Sequence, residues 1–237
     1  MKQLLLLLLC FTGIQAEQIY ATFDIQAYRH TNLAFSAGGI VQDIETDVSM
    51  QVKQGEVLAH LNNDDLKAKL QIAMIAMHHA KKEYDRQLSI KDVIQQAKLD
   101  SYQFQYDNAK AQVAYIQSLL DKTILKAPFD GIITAKMIEV GNVVSGIAPR
   151  TAFSLQSEHK RKLLLHFDQK YWHKVQTGNA LEYTVDGEQK VRHGVIGKIY
   201  PKVNQQTRKM TAEVYASDLV VGLFGTGTIT TQDEESN

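Results

Sequence analysis

The chain has 237 residues, with 26 Lys plus Arg against 26 Asp plus Glu. That length supports one or two modest domains with a real core. The neutral charge balance argues against a general binder of nucleic acid or of acidic surfaces.

Lys2 precedes an apolar run over residues 4–11, and Gly13-Ile14-Gln15-Ala16 follows it. A positive start, a short apolar core and a small residue before polar sequence predict a secretory signal peptide over residues 1–16. The run falls far short of the ~20 residues that span a bilayer. Leu9 stands before Cys10 where a lipoprotein signal carries a small residue, which argues against lipidation. Cys10 is the single cysteine. Cleavage after Ala16 would leave a mature chain without disulfides, thiol chemistry or a Cys-ligated metal site.

Gly39-Ile40-Val41, Asp47-Val48-Ser49 and Val52 recur as Gly131-Ile132-Ile133, Glu139-Val140-Gly141 and Val144, at a constant offset of 92. Each copy has the β-branched character of short strands with Gly-marked turns, and each leads to an apolar segment, 57–61 or 152–155. Two such half-motifs predict one β domain built from paired halves.

Between the halves, residues 56–127 contain neither Gly nor Pro, which predicts long helices. Leu66, Leu70, Ala73, Met77, Ala80 and Tyr84 alternate spacings of four and three. Leu99, Tyr102, Tyr106, Ala109, Val113, Ile116 and Leu120 do the same. Both sets trace a coiled-coil seam, with the remaining faces mostly polar. Residues 88–92 break the phase, and Asn62-Asn63-Asp64 offers capping side chains. The expectation is an antiparallel hairpin over 63–122, each arm about 25–30 residues, or roughly 40 Å.

After Leu155 the pattern turns to strands, over 162–167, 179–185, 191–200, 209–215 and 227–231. Asp168 opens a short capped helix over 168–175, and Asp186-Gly187 marks a hairpin turn. A small barrel over 158–232 is expected, then a loose acidic tail over 233–237.

The chain resembles a known family at these residues. Gly39-Ile40-Val41 through Val52-Lys53-Gln54-Gly55-Glu56-Val57-Leu58-Ala59 resembles the first half of a biotinyl/lipoyl-like domain. Leu125-Lys126-Ala127-Pro128-Phe129-Asp130-Gly131 through Val144 resembles the second, and Ala-Pro-Phe-Asp-Gly is its most specific string. A coiled-coil hairpin splitting the halves is similar to the membrane fusion proteins, HlyD-like periplasmic adaptors of RND-type efflux systems. The resemblance implies a mainly β fold with an inserted α-helical hairpin. A split barrel-sandwich hybrid over 33–62 and 123–157 would precede the β-barrel. Thr207-Arg208 and residues 222–227 fit that barrel. It further implies a non-enzymatic adaptor in the periplasm, linking an inner-membrane transporter to an outer-membrane channel as a homo-oligomeric ring. Such a protein is associated with the inner membrane through its partner. A stand-alone periplasmic scaffold or binding protein, and an adaptor of an ABC-type exporter, are the alternatives.

There are departures. Many family members have Gly where this chain has Ser49. At the hairpin tip, Tyr84 and Gln95 stand where channel-docking members carry Arg and Ser. A membrane-proximal domain is expected to be absent or reduced to strands from Gln18 to Gln26. Leu88, Ile90, Val93 and Ile94 are the candidate partner contacts, because apolar residues at a solvent-facing tip call for a partner; the alternative is that they simply close the hairpin bend.

Other chemistry is weaker. A lipoyl or biotinyl carrier needs a lysine on the turn joining its halves, and here the hairpin replaces that turn. Glu45-Thr46-Asp47 is followed by Val48, not Lys. Met74, Met77 and His78 could offer a soft metal site, but Met77 serves the seam. His166, Trp172, His173 and His193 show no ligand spacing. No nucleophile elbow, phosphate loop or zinc-protease helix occurs. Lys160-Arg161-Lys162 reads as a solvated strand end. No catalytic, cofactor-binding or metal-binding residue is assigned.

Overall fold

The computed structural model describes residues 17–91 and 94–231. The signal peptide expected over 1–16 and the tail over 233–237 lie outside the described residues. The described residues divide into two compact units, residues 17–29 with 157–231, and residues 30–156.

The first unit begins with β1 (Glu17–Ala27), where Ile19, Ala21, Phe23 and Ile25 are buried in alternation, the period of a half-buried strand. The chain then builds the second unit in full: β2 (His30–Leu33), β3 (Gly39–Ile44), β4 (Gln51–Val52), β5 (Val57–Leu61), α1 (Asp64–Leu88), α2 (Gln96–Asp121), β6 (Ile124–Lys126), β7 (Gly131–Lys136), β8 (Val143–Val144) and β9 (Phe153–Gln156). It returns to the first unit through β10 (Lys160–Asp168), β11 (Ala180–Val185), β12 (Arg192–Ile199), β13 (Lys209–Ser217) and β14 (Phe224–Thr231).

The second unit holds two four-stranded sheets, ordered β2-β9-β7-β4 and β6-β5-β3-β8. Its core includes Val41, Leu58, Leu61, Ile133, Phe153 and Leu155. The 92-residue repeat becomes a reciprocal exchange. Gly39 and Ile40 of β3 pair with Val144 and Val143 of β8, while Gly131 and Ile132 of β7 pair with Val52 and Gln51 of β4. The amide of Val41 donates to the Asn142 carbonyl at 2.9 Å, and that of Ile133 donates to the Met50 carbonyl at 3.0 Å. Each half therefore supplies strand partners to the other, while β3 also pairs with β5 and β7 with β9 inside their own halves.

The Ala-Pro-Phe-Asp-Gly string locks this exchange. The Ala127 and Gly55 amides donate to the Glu56 and Ala127 carbonyls. The Asp130 carboxylate accepts from the Gln54 amide at 2.7 Å. A Cβ at Gly131 would sit against the Gln156 carbonyl, so only glycine lets β7 approach β9 here.

The first unit is a closed barrel, β1-β10-β13-β12-β11-β14, filled by Phe23, Leu163, Leu165, Phe167, Leu181 and Ile229 among others. Closure removes the free edges that invite aggregation. The stretch from Gln18 to Gln26 is corrected by this finding. It is not a remnant of a separate domain but a barrel strand, hydrogen-bonded to β10 on one side and β14 on the other. The helix expected over 168–175 is a single 3-10 turn, Gln169–Tyr171, with the Asp168 carboxylate accepting from the Lys170 amide at 2.9 Å. Lys160-Arg161-Lys162 is not a wholly solvated strand end. Strand alternation turns Arg161 inward, where its Nε donates to the Leu219 carbonyl at 2.7 Å and its Nη1 to the Ser157 carbonyl at 2.6 Å. Burial lowers the Arg161 pKa, against the raising pull of Asp218 and Glu158.

Candidate functional site

The hairpin grows out of adjacent strands. His60 of β5 pairs with Ile124 of β6, and the Leu61 amide donates to the Thr123 carbonyl at 2.9 Å. Asn63, expected as a capping side chain, makes no cap. It is buried, and its Nδ2 donates instead to Thr123 Oγ1 at 3.0 Å, while that hydroxyl donates to the Leu120 carbonyl at 2.6 Å. A polar clasp thus closes the hairpin base. The first turn of α1 carries Asp64 and Asp65, which favour the positive end of the helix dipole.

Above the clasp, all thirteen residues of the two heptad series are buried or half-buried. Ala73, Leu99 and Ile116 are the most enclosed. The two helices pack against each other along these series. Tyr84 and Tyr106 stack across the seam with ring centroids 6.1 Å apart and planes 11° apart. Tyr84 is therefore spent on packing the hairpin, not presented outward as a docking side chain. On the outer face, Lys81 reaches Asp85 at 2.6 Å and Arg86 pairs with Glu83. The hydrogen bond to Asp85, followed by its charge, raises the Lys81 pKa.

At the tip, α1 ends at Leu88 and α2 begins at Gln96, so the phase break at 88–92 marks the bend. The Ser89 hydroxyl donates to the Arg86 carbonyl at 2.7 Å. Leu88 is 40% and Ile90 48% exposed. Ile94 is half-buried, its amide donating to the Ile90 carbonyl at 3.2 Å. Val93 lies outside the described residues. Gln95 is exposed and extended, its carbonyl accepting from the Lys98 and Leu99 amides.

The flanks depart from the expectation of mostly polar faces. Ile72 and Ile75 on α1, and Phe104 and Tyr115 on α2, are exposed. They fall off the heptad, so the spacing that marks the seam does not include them. Phe104 is 70% exposed. Met77 is half-buried in the seam, leaving Met74 and His78 exposed. Among the described residues no group of three or more His, Cys, Asp or Glu is placed to hold a metal ion. Nor is any described helix long and apolar enough to cross a membrane.

The CzcB-like barrel-sandwich hybrid domain matches residues 29–152, more than half of the chain. The chain belongs to the CzcB-like barrel-sandwich hybrid family. Among curated proteins, the cobalt-zinc-cadmium resistance protein CzcB of Cupriavidus metallidurans is 27% identical over 124 residues, covering 45% of this CzcB-like chain and 24% of the relative. An uncharacterized protein of Haemophilus influenzae is 25% identical over 115 residues, covering 48% and 30%. The chain thus spans less than a third of the length of either relative. Among solved structures, a MacA-MexA chimera containing the Pseudomonas aeruginosa MexA alpha-hairpin domain superimposes with a TM-score of 0.83 at 17% identity, covering 92% of this chain and 83% of that one. The membrane fusion protein Spr0693 of Streptococcus pneumoniae does so with a TM-score of 0.74 at 14% identity, covering 91% and 100%. These structures share the fold of the CzcB-like chain: hybrid domain, barrel and helical hairpin together.

Proposed function

We propose that this CzcB-like chain is a periplasmic adaptor of an efflux system. It joins an inner-membrane transporter, of the RND type, to an outer-membrane channel, and it catalyses nothing itself. The observation that carries the reading is the hairpin. Its arms, of 25 and 26 residues, reach about 38 Å from the sheets at 1.5 Å per residue, and they end in exposed Leu88 and Ile90. Such a rod can bridge a gap. Isolated two-helix hairpins are marginal, and the exposed apolar flanks at Ile72, Ile75, Phe104 and Tyr115 suit lateral packing against copies of the same hairpin in a ring. Leu88, Ile90, Val93 and Ile94 form the contact set for the channel.

Crosslinking in intact cells, followed by mass spectrometry of what is captured, tests the reading. Capture of an inner-membrane transporter and an outer-membrane channel supports it. Capture of neither, from cells where the protein is abundant and folded, overturns it. Leu88→Asp should abolish export with the protein still folded and at normal level. Unchanged efflux in that variant removes the tip-contact assignment.

A further inference from the structure

Trp172 is the only tryptophan of the chain, and it is 67% exposed. Its turn is tied down by backbone hydrogen bonds. The Trp172 amide donates to the Gln169 carbonyl at 3.0 Å, and the Lys174 and Val175 amides donate to the Tyr171 carbonyl at 3.0 and 3.1 Å. Val175 is buried and Tyr171 packs against the barrel core. The turn is therefore anchored by the residues on either side of Trp172, and the indole is left to face outward. Burying its exposed part would gain apolar contact.

Its surroundings are basic. Lys170 lies 4.8 Å from the centroid of the Tyr171 ring, and the His173 ring packs edge-on to Trp172 at 5.7 Å. The loop over 200–208 runs alongside, joined by the Gln169 amide donating to the Arg208 carbonyl at 3.1 Å. It adds exposed Lys202 and Arg208. The nearby described acids are already engaged: Glu17 with Lys174, and Asp168 with the Lys170 amide. This is one end of the barrel, where β1 begins and β14 finishes.

We infer that the Trp172 turn and the loop beside it dock directly on an anionic phospholipid surface. An aromatic ring with an apolar body and an N–H edge suits the headgroup boundary. Lys and Arg around it lay their stems along the acyl boundary and their charges among phosphates. The contact is separate from the adaptor reading, since it concerns the barrel end and not the hairpin, and either can stand without the other.

The single indole supplies its own readout. The full chain, with Asp233, Glu234 and Glu235 of the tail in place, is mixed at low salt with vesicles of phosphatidylglycerol and phosphatidylcholine. Trp emission should move to shorter wavelength and be quenched by brominated acyl chains. Phosphatidylcholine alone should leave it unchanged. Lys170→Glu with Lys202→Glu, both at exposed positions, should weaken the partition about tenfold or more and keep the barrel folded. Attachment through any other segment, residues 4–11 included, would sediment the protein without moving the emission, and that overturns the inference. So does an equal response to neutral vesicles. A response seen only with a detergent-solubilised transporter also overturns it, and assigns the turn to a protein partner.

Discussion

Ser49 and Gly141 hold the same backbone position in the two exchanged halves of the hybrid domain. Their φ angles are 71° and 87°. The Ser49 amide donates to the Ile133 carbonyl at 2.8 Å and the Gly141 amide to the Val41 carbonyl at 2.9 Å. Ile133 and Val41 are themselves equivalent under the repeat, so one turn is used twice. At Gly141 the left-handed conformation carries no Cβ strain; at Ser49 it costs about 1 kcal/mol or more.

Ser49→Gly should therefore stabilise the domain by about 0.5 kcal/mol, the relief of strain being partly offset by a freer unfolded chain. Gly141→Ala should destabilise it by about 1 kcal/mol. Denaturant midpoints of the two variants should move in opposite directions. Equal movement in the same direction would show that the two turns do not share a backbone requirement.

The clasp at the hairpin base gives a second test. Asn63 and Thr123 are both buried and bonded to each other. Thr123→Val leaves the Asn63 amide unsatisfied and should cost about 1–3 kcal/mol. Adding Asn63→Leu to it should recover part of that loss, because removing both partners costs less than removing one. A double-mutant cycle read by urea unfolding checks this.

The barrel carries a pH-dependent pair. The Tyr200 hydroxyl donates to Glu213, and Lys162 lies 3.5 Å from the same carboxylate. Burial raises the Glu213 pKa, but the Tyr200 hydrogen bond and the charges of Lys162 and Lys198 outweigh it, and the net shift is downward from 4.5. Tyr200 is pushed up to about 12 by its bond to Glu213, with burial next. A depressed carboxylate contributes stability that is present above its unfolded pKa and lost as pH falls through the folded value. A raised phenol contributes stability that is present below its ordinary 10.0 and lost as pH climbs toward about 12. Tyr200→Phe should flatten the alkaline loss of thermal stability across that window. Glu213→Gln should flatten the acid loss as well as weaken the fold near neutrality. Melting temperatures measured across both windows decide it.

Lateral packing of hairpins predicts an oligomer-specific defect. Phe104→Glu changes an exposed residue off the seam, so helicity and monomer melting should hold. Sedimentation at high protein concentration should show assembly weakened by about tenfold or more, the range of a lost interface aromatic. Unaltered sedimentation, or assembly absent in the parent chain, would remove Phe104 from any such contact.

What was legible in the sequence follows physical range. The seam could be read because residues three and four apart meet on one helix, and the exchanged halves could be read because the repeat copies turn and core positions together. The pairing of β1 was not legible, since alternation at Ile19, Ala21, Phe23 and Ile25 announces a strand but not its partners in β10 and β14. Asn63 has the residue type of a cap, yet its partner Thr123 stands at the far end of the hairpin. Arg161 looked solvated beside two lysines because a basic string hides which member strand alternation turns inward. At the tip, Leu88 and Ile90 are brought to an exposed bend. Phe104 was missed because it belongs to no heptad position, and off-seam exposure becomes visible only once the two helices are paired.

The hairpin leaves and re-enters the sheets at neighbouring residues, with Leu61 bonded to Thr123. The sheets therefore register only those two ends and nothing about what lies between. Seven residues added to each arm would restore the seam phase and extend the rod by about 10 Å, with the clasp and the exchanged strands unaltered. Span is thus a dimension of this architecture that can change in whole heptads while the folding core stays as it is.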